Sequence, residues 1–167
     1  MERKKVWKLF FVWDFEKEEA WLNEMAAEGW TLCSVGFCNY TFERSLPEEY
    51  TIRMEMRPYD PEYIRFMEET GVEYIGRIIQ WLYFRKRTEE GPFDLFSDID
   101  SKIEHLGRIG KMIASIGILN LGIGILNSVN PTHMGWINLL CATLLMYALG
   151  RIHGEKKYLE KERSLRE

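Results

Sequence analysis

The sequence predicts an α+β protein in which tandem βαββ units form an antiparallel sheet with two helices on one face, followed by a two-helix transmembrane hairpin. Three observations lead to this prediction. Strand-like and helix-like patterns follow one another in the order βαββ twice over the first half of the chain. A shift of 42 residues aligns these two units, and two uncharged apolar runs follow near the C-terminus.

The first βαββ unit begins with residues 6–13 (VWKLFFVW), whose nearly unbroken apolar and β-rich character is typical of a central strand. A helix follows, with Asp14 as the expected N-cap. It ends at Gly29, because glycine readily adopts the left-handed conformation found just beyond a helix C-terminus. Two short strands, residues 30–35 and 38–43, then form a hairpin and complete the unit.

The second unit repeats this order. Residues 51–57 alternate apolar and charged side chains, as in a half-buried strand. Asp60 followed by a proline is a strong helix start, and Gly71 closes the helix. Strands at residues 73–77 and 79–86 follow. The 42-residue shift aligns the helix residues and both closing glycines without a gap, which indicates an internal duplication.

The predicted transmembrane hairpin consists of residues 112–130 and 134–150, which contain no Lys, Arg, Asp or Glu. At about 1.5 Å of rise per residue, the first run crosses roughly 28 Å of hydrocarbon. Basic side chains flank both outer ends whereas the connecting segment has only His133, so the positive-inside rule places both termini in the cytoplasm. A buried hairpin in a larger soluble protein is the alternative, which we disfavour because helices without a polar face need partners all round.

Charge and composition separate these parts of the chain. Residues 1–104 contain 22 acidic and 14 basic side chains, and the whole chain of 167 residues has a net charge of −4. An acidic domain repels phosphate backbones, so we expect no nucleic acid as a partner. The expected partners are membrane lipid and a protein. The absence of a CxxC pair and of a signal-peptide pattern favours a cytoplasmic domain. The predicted parts are an α/β domain at 1–92, an amphipathic linker helix at 93–111, a transmembrane hairpin at 112–150 and a charged cytoplasmic tail at 151–167.

Small residues recur at intervals of seven along both helices predicted for this part of the chain. Such residues let helix backbones approach closely in a membrane. They serve either packing within the hairpin or docking against another membrane protein or a second copy. The residues concerned are Gly110, Gly117, Gly124, Gly135 and Ala142.

Five aromatic residues of the first part of the chain form a candidate ligand pocket between the two βαββ units. The alternative is that they belong to the core, which is the usual place for aromatic side chains in a sheet. They are Trp13, Trp30, Tyr40, Trp81 and Tyr83.

The possible nucleophiles, acids and bases of the sequence form no recognisable catalytic arrangement. We therefore expect no catalytic residue, cofactor or metal. The acidic segment 94–105 fits helix initiation better than metal binding, with Ser97–Asp100 and Ser101–Glu104 as capping boxes. A turn at residues 35–36 would place Cys33 opposite Cys38. They would then form either a redox pair or, more in keeping with small buried residues, part of the core.

Four motifs resemble a bacterial family catalogued as domain of unknown function 2812. They are FEKEEAWLNEMAAEGW (15–30), YTFER (40–44), WLYFRK (81–86) and LFSDIDSKIEHLGRI (95–109). The resemblance implies a similar membrane tail and genes that accompany PadR-like transcriptional regulators, and hence a regulatory or stress-associated setting. The family has no established reaction.

These observations lead to one functional hypothesis and two alternatives. The leading hypothesis is a non-enzymatic, membrane-anchored regulatory or adaptor protein with a cytoplasmic protein-binding domain, in which the transmembrane helices contact a protein partner or a second copy. The first alternative is a membrane-tethered sensor that binds a hydrophobic small molecule between the βαββ halves. The second is an accessory subunit of a membrane transporter.

Overall fold

The computed structural model describes residues 2–96, 98–129 and 135–166. The predicted loop that contains His133 therefore lies outside the described residues. The protein is α+β, and its chain divides into two compact units, Met1–Ser97 and Asp98–Glu167. We call them the globular unit and the helical unit.

The globular unit contains two antiparallel three-stranded sheets and two α-helices. In the first sheet the order is β1-β3-β2, with β1 at Arg3–Trp7, β2 at Trp30–Gly36 and β3 at Asn39–Arg44. In the second the order is β4-β6-β5, with β4 at Tyr50–Met56, β5 at Glu73–Ile78 and β6 at Trp81–Arg87. Helix α1 (Phe15–Ala27) precedes β2, and α2 (Pro61–Glu69) precedes β5.

The two sheets meet along β2 and β5, which run in the same direction. Arg85, the register partner of Glu73 on β5, donates from Nη1 to the carbonyl oxygen of Leu32 on β2 (3.0 Å). Three residues further along both strands, Val35 Cγ2 lies 3.4 Å from the point where a Cβ on Gly76 would stand. If the strands were antiparallel with Val35 beside Gly76, Leu32 would lie far beyond the reach of Arg85. We call the junction of β2 and β5 the seam, and side chains make the contacts just described across it.

Each seam strand carries an irregularity at an equivalent position. The register of β2 shifts between Leu32 and Ser34, and that of β5 shifts between Tyr74 and Gly76, 42 residues later. A bulge bends a strand and disturbs its backbone hydrogen bonds. The sequence predicts one sheet, whereas the backbone pairing of these residues forms two sheets that join at the bulged strands.

The predicted helix ends of the globular unit are confirmed. Gly29 (φ 80°) and Gly71 (φ 82°) follow α1 and α2 in the left-handed region, where glycine alone has no steric cost. Asp60 caps α2, since its Oδ1 accepts from the backbone N–H groups of Glu62 and Tyr63. Asp14 occupies the N-cap position of α1, but its side chain makes an ion pair with Lys17 (2.7 Å) and no capping hydrogen bond.

The predicted strand at residues 6–13 is wrong in both extent and position. Strand β1 ends at Trp7, and Val12–Asp14 forms a short 3₁₀ helix. β1 lies at an edge, because it pairs only with β3, and the chain must then leave the sheet to reach α1. Trp7 at the end of β1, and Leu9 and Phe11 in the segment that follows, are consequently exposed.

The core of the globular unit extends beyond the last strand. Phe93 is buried in a cluster with Ile64, Val72, Leu82 and Phe84, and Leu95 packs against the same cluster. The chain is therefore fixed to the globular unit up to about residue 95. The linker helix predicted from residue 93 instead begins at Ile99, as the first part of α3.

The helical unit is a hairpin of two long helices, α3 (Ile99–Ser128) and α4 (Gly135–Arg166). The predicted linker and first apolar run are one continuous helix, and the predicted charged tail continues α4. Asp98 caps α3 and forms a reciprocal capping box with Ser101. The predicted Ser101–Glu104 box is wrong because Ser101 already lies in the first turn of the helix, and Ser97 lies outside the described residues.

Candidate functional site

The globular unit contains a buried carboxyl group, that of Glu18. Glu18 Oε1 accepts hydrogen bonds from the hydroxyl of Tyr40 (2.8 Å) and from that of Tyr83 (2.6 Å). The three residues are 7%, 3% and 2% exposed, respectively. Tyr40 belongs to β3 of the first sheet and Tyr83 to β6 of the second. Glu18, on the first turns of α1, therefore links the two sheets through their tyrosines.

Burial dominates the electrostatics of this group. Desolvation raises the pKa of Glu18, and the hydrogen bonds from Tyr83 and Tyr40 oppose that rise by favouring the carboxylate. The pKa values of both tyrosines are raised, first by burial and then by the negative charge of Glu18. The hydroxyls therefore stay protonated and donate. The arrangement can hold a proton or a charge at Glu18, but a substrate would have to displace core side chains to reach it.

Helix α1 also binds the outer edge of the second sheet. The Asn23 side-chain amide donates from Nδ2 to the carbonyl of Ile52, and its Oδ1 accepts from the N–H of the same residue (2.9 Å each). Two residues further along β4, the N–H of Met54 donates to Glu19 Oε2 (3.0 Å). Unpaired backbone groups on an edge strand are thus satisfied by side chains of a helix.

An ion-pair cluster crosses the seam between the sheets. Arg85 on β6 contacts Glu73 on β5 through Nε (2.7 Å) and Glu43 on β3 through Nη1 (2.9 Å). Its remaining bond, to the carbonyl of Leu32, reaches β2. Hydrogen bonds to these carboxylates raise the pKa of Arg85 against the opposing effect of burial, so the guanidinium stays charged.

Among the five predicted pocket residues, the structure brings the two tyrosines together. Tyr40 and Tyr83 converge on Glu18. Trp81 is buried and lies beside Phe15, with ring centroids 5.6 Å apart. The pocket itself stays a prediction.

The other two tryptophans make separate contacts. Trp30 contacts two cations, with Lys4 Nζ at 4.8 Å and the Arg44 guanidinium at 4.9 Å from its ring. Trp13 stacks on Phe11 at a centroid distance of 4.7 Å. Cation–π contacts therefore explain the position of the Trp30 ring, and aromatic stacking explains that of Trp13.

The sequence interpretation missed Glu18, Asn23 and Arg85 as linking residues. Only Glu18 carried a usable signal, because it precedes Leu22 by four residues and Met25 by seven, and so lies on the buried face of α1. A glutamate in phase with apolar residues is a candidate for a buried, hydrogen-bonded carboxyl group.

The predicted opposition of Cys33 and Cys38 is wrong. The hairpin turns at residues 37–38, so Cys38 lies in the turn itself, with φ 55°. Cys33 lies at the bulge of β2, and its Sγ donates to the carbonyl of Thr41 (3.3 Å). Burial raises the pKa of the Cys33 thiol, which favours the unreactive protonated form.

Metal binding has no support in the part of the chain that the structure describes. Those residues contain no group of three or more His, Cys, Asp or Glu side chains placed to hold an ion. In the acidic segment near the start of α3, Asp98 is the N-cap and Asp100 pairs with Arg163 (2.6 Å).

The small-residue stripe lies where α3 and α4 contact each other. A Cβ at Gly117 would stand 3.5 Å from Leu145 Cβ, and one at Gly124 would stand 2.8 Å from Leu139 Cδ2. The helix backbones can approach closely along this line because these side chains are absent. The residues that are buried in the hairpin or face the opposite helix are Gly110, Gly117, Gly124, Gly135 and Ala142.

The outer surface of the same hairpin is apolar. Both helices are long and apolar enough to cross a membrane, and only 22% of the most apolar 18-residue window of each is buried. Exposed side chains include Ile118, Leu119, Leu126, Leu140 and Leu144.

Comparison with known proteins gives one family match. The family described as "Protein of unknown function (DUF2812)" matches residues 14–118. No curated protein and no solved structure matches the chain. The matched segment begins at the N-cap of α1, includes β2 to β6 and reaches well into α3.

Proposed function

Since the chain belongs to the DUF2812 family, whose function is unknown, its role has to be inferred from its own residues, and we propose that it is a membrane-anchored regulatory or adaptor protein. The helical unit crosses the membrane twice. The globular unit binds a protein partner at the cytoplasmic face.

The observation that carries this proposal is the exposure of the apolar hairpin. A core helix of a soluble protein is mostly buried, whereas the most apolar windows of α3 and α4 are 22% buried. Contiguous exposed apolar surface of this extent needs lipid or protein around it. Each apolar run also has about the length that a bilayer requires.

The polar ends of the hairpin support an orientation with both termini in the cytoplasm. The first turns of α3 and the last turns of α4 extend beyond the apolar runs, and Asp100 and Arg163 join them. Basic residues at these ends, among them Arg151 and Lys157, favour the cytoplasmic side.

The surface of the globular unit favours a partner with basic side chains. Residues 1–97 carry 19 acidic and 13 basic side chains. On α2, Glu68 and Glu69 are exposed, as are Glu89 and Glu90 after β6, while Phe66 is an exposed aromatic residue on the same helix. An aromatic side chain bordered by carboxylates is a suitable contact for a basic protein surface.

The sensor alternative has less support. Tyr40 and Tyr83 are nearly inaccessible and already hydrogen-bonded to Glu18. A hydrophobic ligand at the predicted pocket would have to separate the two sheets and leave these polar groups unpaired, which is costly.

Fractionation of cells that express the full chain tests the anchor. We expect the protein to remain in membranes after an alkaline wash. Replacing Leu119 and Leu144 with lysine should release it, because each charge at the bilayer centre costs about 3 kcal/mol. A matched variant with lysine at Tyr158 and Leu165, exposed residues in the polar part of α4, should remain in membranes. Equal behaviour of the two variants contradicts the anchor.

Site-specific crosslinking tests the adaptor role. A photoreactive phenylalanine at Phe66 should give one discrete crosslinked protein in membranes, and the same group at Leu46, an exposed residue in the loop before β4, should not. Glu68→Lys with Glu69→Lys should remove that product without moving the chain from the membrane. Absence of any product at Phe66 rejects the adaptor role and leaves the anchor intact.

A further inference from the structure

Both hairpin turns of the globular unit lie at the same end. In the first hairpin, β3 begins at Asn39, which is the register partner of Gly36 on β2 and of Trp7 on β1. In the second, β6 begins at Trp81, which is the register partner of Ile78 on β5. Because β2 and β5 run in the same direction, the turns that follow them point the same way. We call the end formed by residues 7–11, 36–39 and 77–81 the tip surface.

The tip surface concentrates exposed apolar side chains. Within residues 2–96, eight large hydrophobic side chains are exposed, and five of them belong to the tip surface. A monomeric soluble domain rarely gathers so much apolar surface at one end unless that end binds something. The five are Trp7 (70% exposed), Leu9 (63%), Phe11 (53%), Phe37 (77%) and Ile79 (77%).

The backbone at Ile79 is consistent with a functional use of this side chain. Ile79 has φ 57°, in the left-handed region that a β-branched residue seldom adopts and that glycine or asparagine occupies at little cost. A two-residue hairpin turn therefore holds a bulky apolar side chain at a strained position and exposes it to solvent. Strain of this kind is typical of functional sites.

The charge of the tip surface is opposite to that of the rest of the unit. Residues 7–11, 36–39 and 77–81 contain Lys8 and Arg77 but no Asp or Glu. Lys5 adds a cation beside Trp7, with Nζ 5.1 Å from the ring centroid. Aromatic and aliphatic side chains among cations are typical of surfaces that bind anionic lipid.

The stretch of chain between the core of the globular unit and the apolar run is short. Its core holds Phe93 and Leu95, and α3 begins at Ile99. The polar part of α3, residues 99–111, rises about 20 Å before the apolar run begins. A tether this short gives the tip surface a high effective concentration at the membrane.

We propose that the tip surface docks on the anionic lipid of the same membrane. Trp7, Leu9, Phe37 and Ile79 enter the interfacial layer, and the neighbouring cations face lipid headgroups. This proposal rests on the membrane anchor proposed above. It also gives the acidic remainder of the unit a fixed direction, away from the negatively charged membrane surface.

Fluorophore quenching by lipid tests the docking in the full chain. The protein is reconstituted at one copy per nanodisc that contains nitroxide-labelled lipid. It carries a single cysteine labelled with an environment-sensitive dye. Cys38, in the tip turn, is the test position, with Cys33→Ser and Cys141→Ser. Cys141 on α4 reports the anchor, and Leu46→Cys in a cysteine-free chain reports an exposed site away from the tip surface.

We expect quenching at Cys38 and Cys141 in nanodiscs with anionic lipid, and none at Leu46→Cys. The double variant Phe37→Ser, Ile79→Ser should lower the equilibrium constant for docking, measured by quenching at Cys38, by roughly tenfold or more. This is the loss expected when two apolar side chains are removed from lipid. Leu46→Ser is the matched control and should change nothing.

Three outcomes overturn the proposal. Quenching at Cys141 without quenching at Cys38 rejects the docking and keeps the anchor. Failure at both positions rejects the anchor and the docking with it. The third outcome is a dye at Cys38 that becomes shielded from water only when several copies share a nanodisc and that nitroxide-labelled lipid does not quench. It assigns the tip surface to a second copy of this chain.

Discussion

Helices α1 and α2 hold corresponding places in the chain order, but only α1 ties the two sheets together. Glu18 and Asn23 of α1 bind Tyr83 and Ile52, which belong to the second sheet. By contrast, α2 makes polar contacts with its own sheet; for example, the hydroxyl of Tyr63 donates to Glu55 of the preceding strand, β4 (2.8 Å). The difference indicates that α1 stabilises the union of the sheets and that α2 mainly covers its own sheet.

The largest expected effect is the loss of the buried carboxyl group. Glu18→Ala leaves two buried hydroxyls without their acceptor, which should lower the free energy of unfolding by about 3 kcal/mol. Asp60→Ala changes the residue 42 positions later and should cost about 1 kcal/mol, since it removes only a helix cap. Denaturation of the full chain in detergent, followed by tryptophan fluorescence, measures both. Equal losses would remove the distinction between the helices.

A second variant pair tests the contact between α1 and the sheet edge. Asn23→Ala removes both hydrogen bonds to Ile52 and exposes its backbone groups, so we expect a loss of about 2 kcal/mol. Arg65→Ala, at the corresponding position of α2, affects an exposed side chain and should change stability by less than about 0.5 kcal/mol. A small effect at Asn23 would mean that water replaces the amide at the edge of β4.

The smallest expected effect is a pH dependence. Because burial raises the folded-state pKa of Glu18, the folded protein binds this proton more tightly than the unfolded chain does. The resulting stabilisation is fully present below the ordinary value of 4.5 and is lost as the pH rises through the raised value. Glu18→Gln keeps a hydrogen-bond acceptor but does not titrate. The stability of the wild type relative to this variant should therefore fall from acidic to neutral pH. A constant difference would contradict the raised pKa.

Local sequence patterns are enough for the helix ends and for most strands. Asp60, Gly29 and Gly71 each meet a backbone requirement that depends only on neighbouring residues, so their roles can be predicted from sequence. The partners of Glu18 and Arg85 cannot be predicted this way. Tyr83 is 65 residues from Glu18, and Glu43 is 42 residues from Arg85, so these pairs depend on which sheet edges meet.

The apolar segment 6–13 shows why hydrophobicity alone can mislead. A continuous apolar run predicts a buried strand only if protein surrounds it. Here β1 is an edge strand, and Trp7 and Leu9 remain exposed. The same pattern is expected for a segment whose contact is a lipid surface, and sequence periodicity does not separate the two environments.

The seam between β2 and β5 determines how the globular unit responds to force. A β ladder loaded along its strands resists through many backbone hydrogen bonds at once. The seam has side-chain contacts instead, such as Arg85 with Leu32 and Val35 with Gly76, and these can fail one after another. Tension that pulls the sheets apart therefore acts first on the middle of the unit. The bonds of α1 across this line make that helix a mechanical clamp.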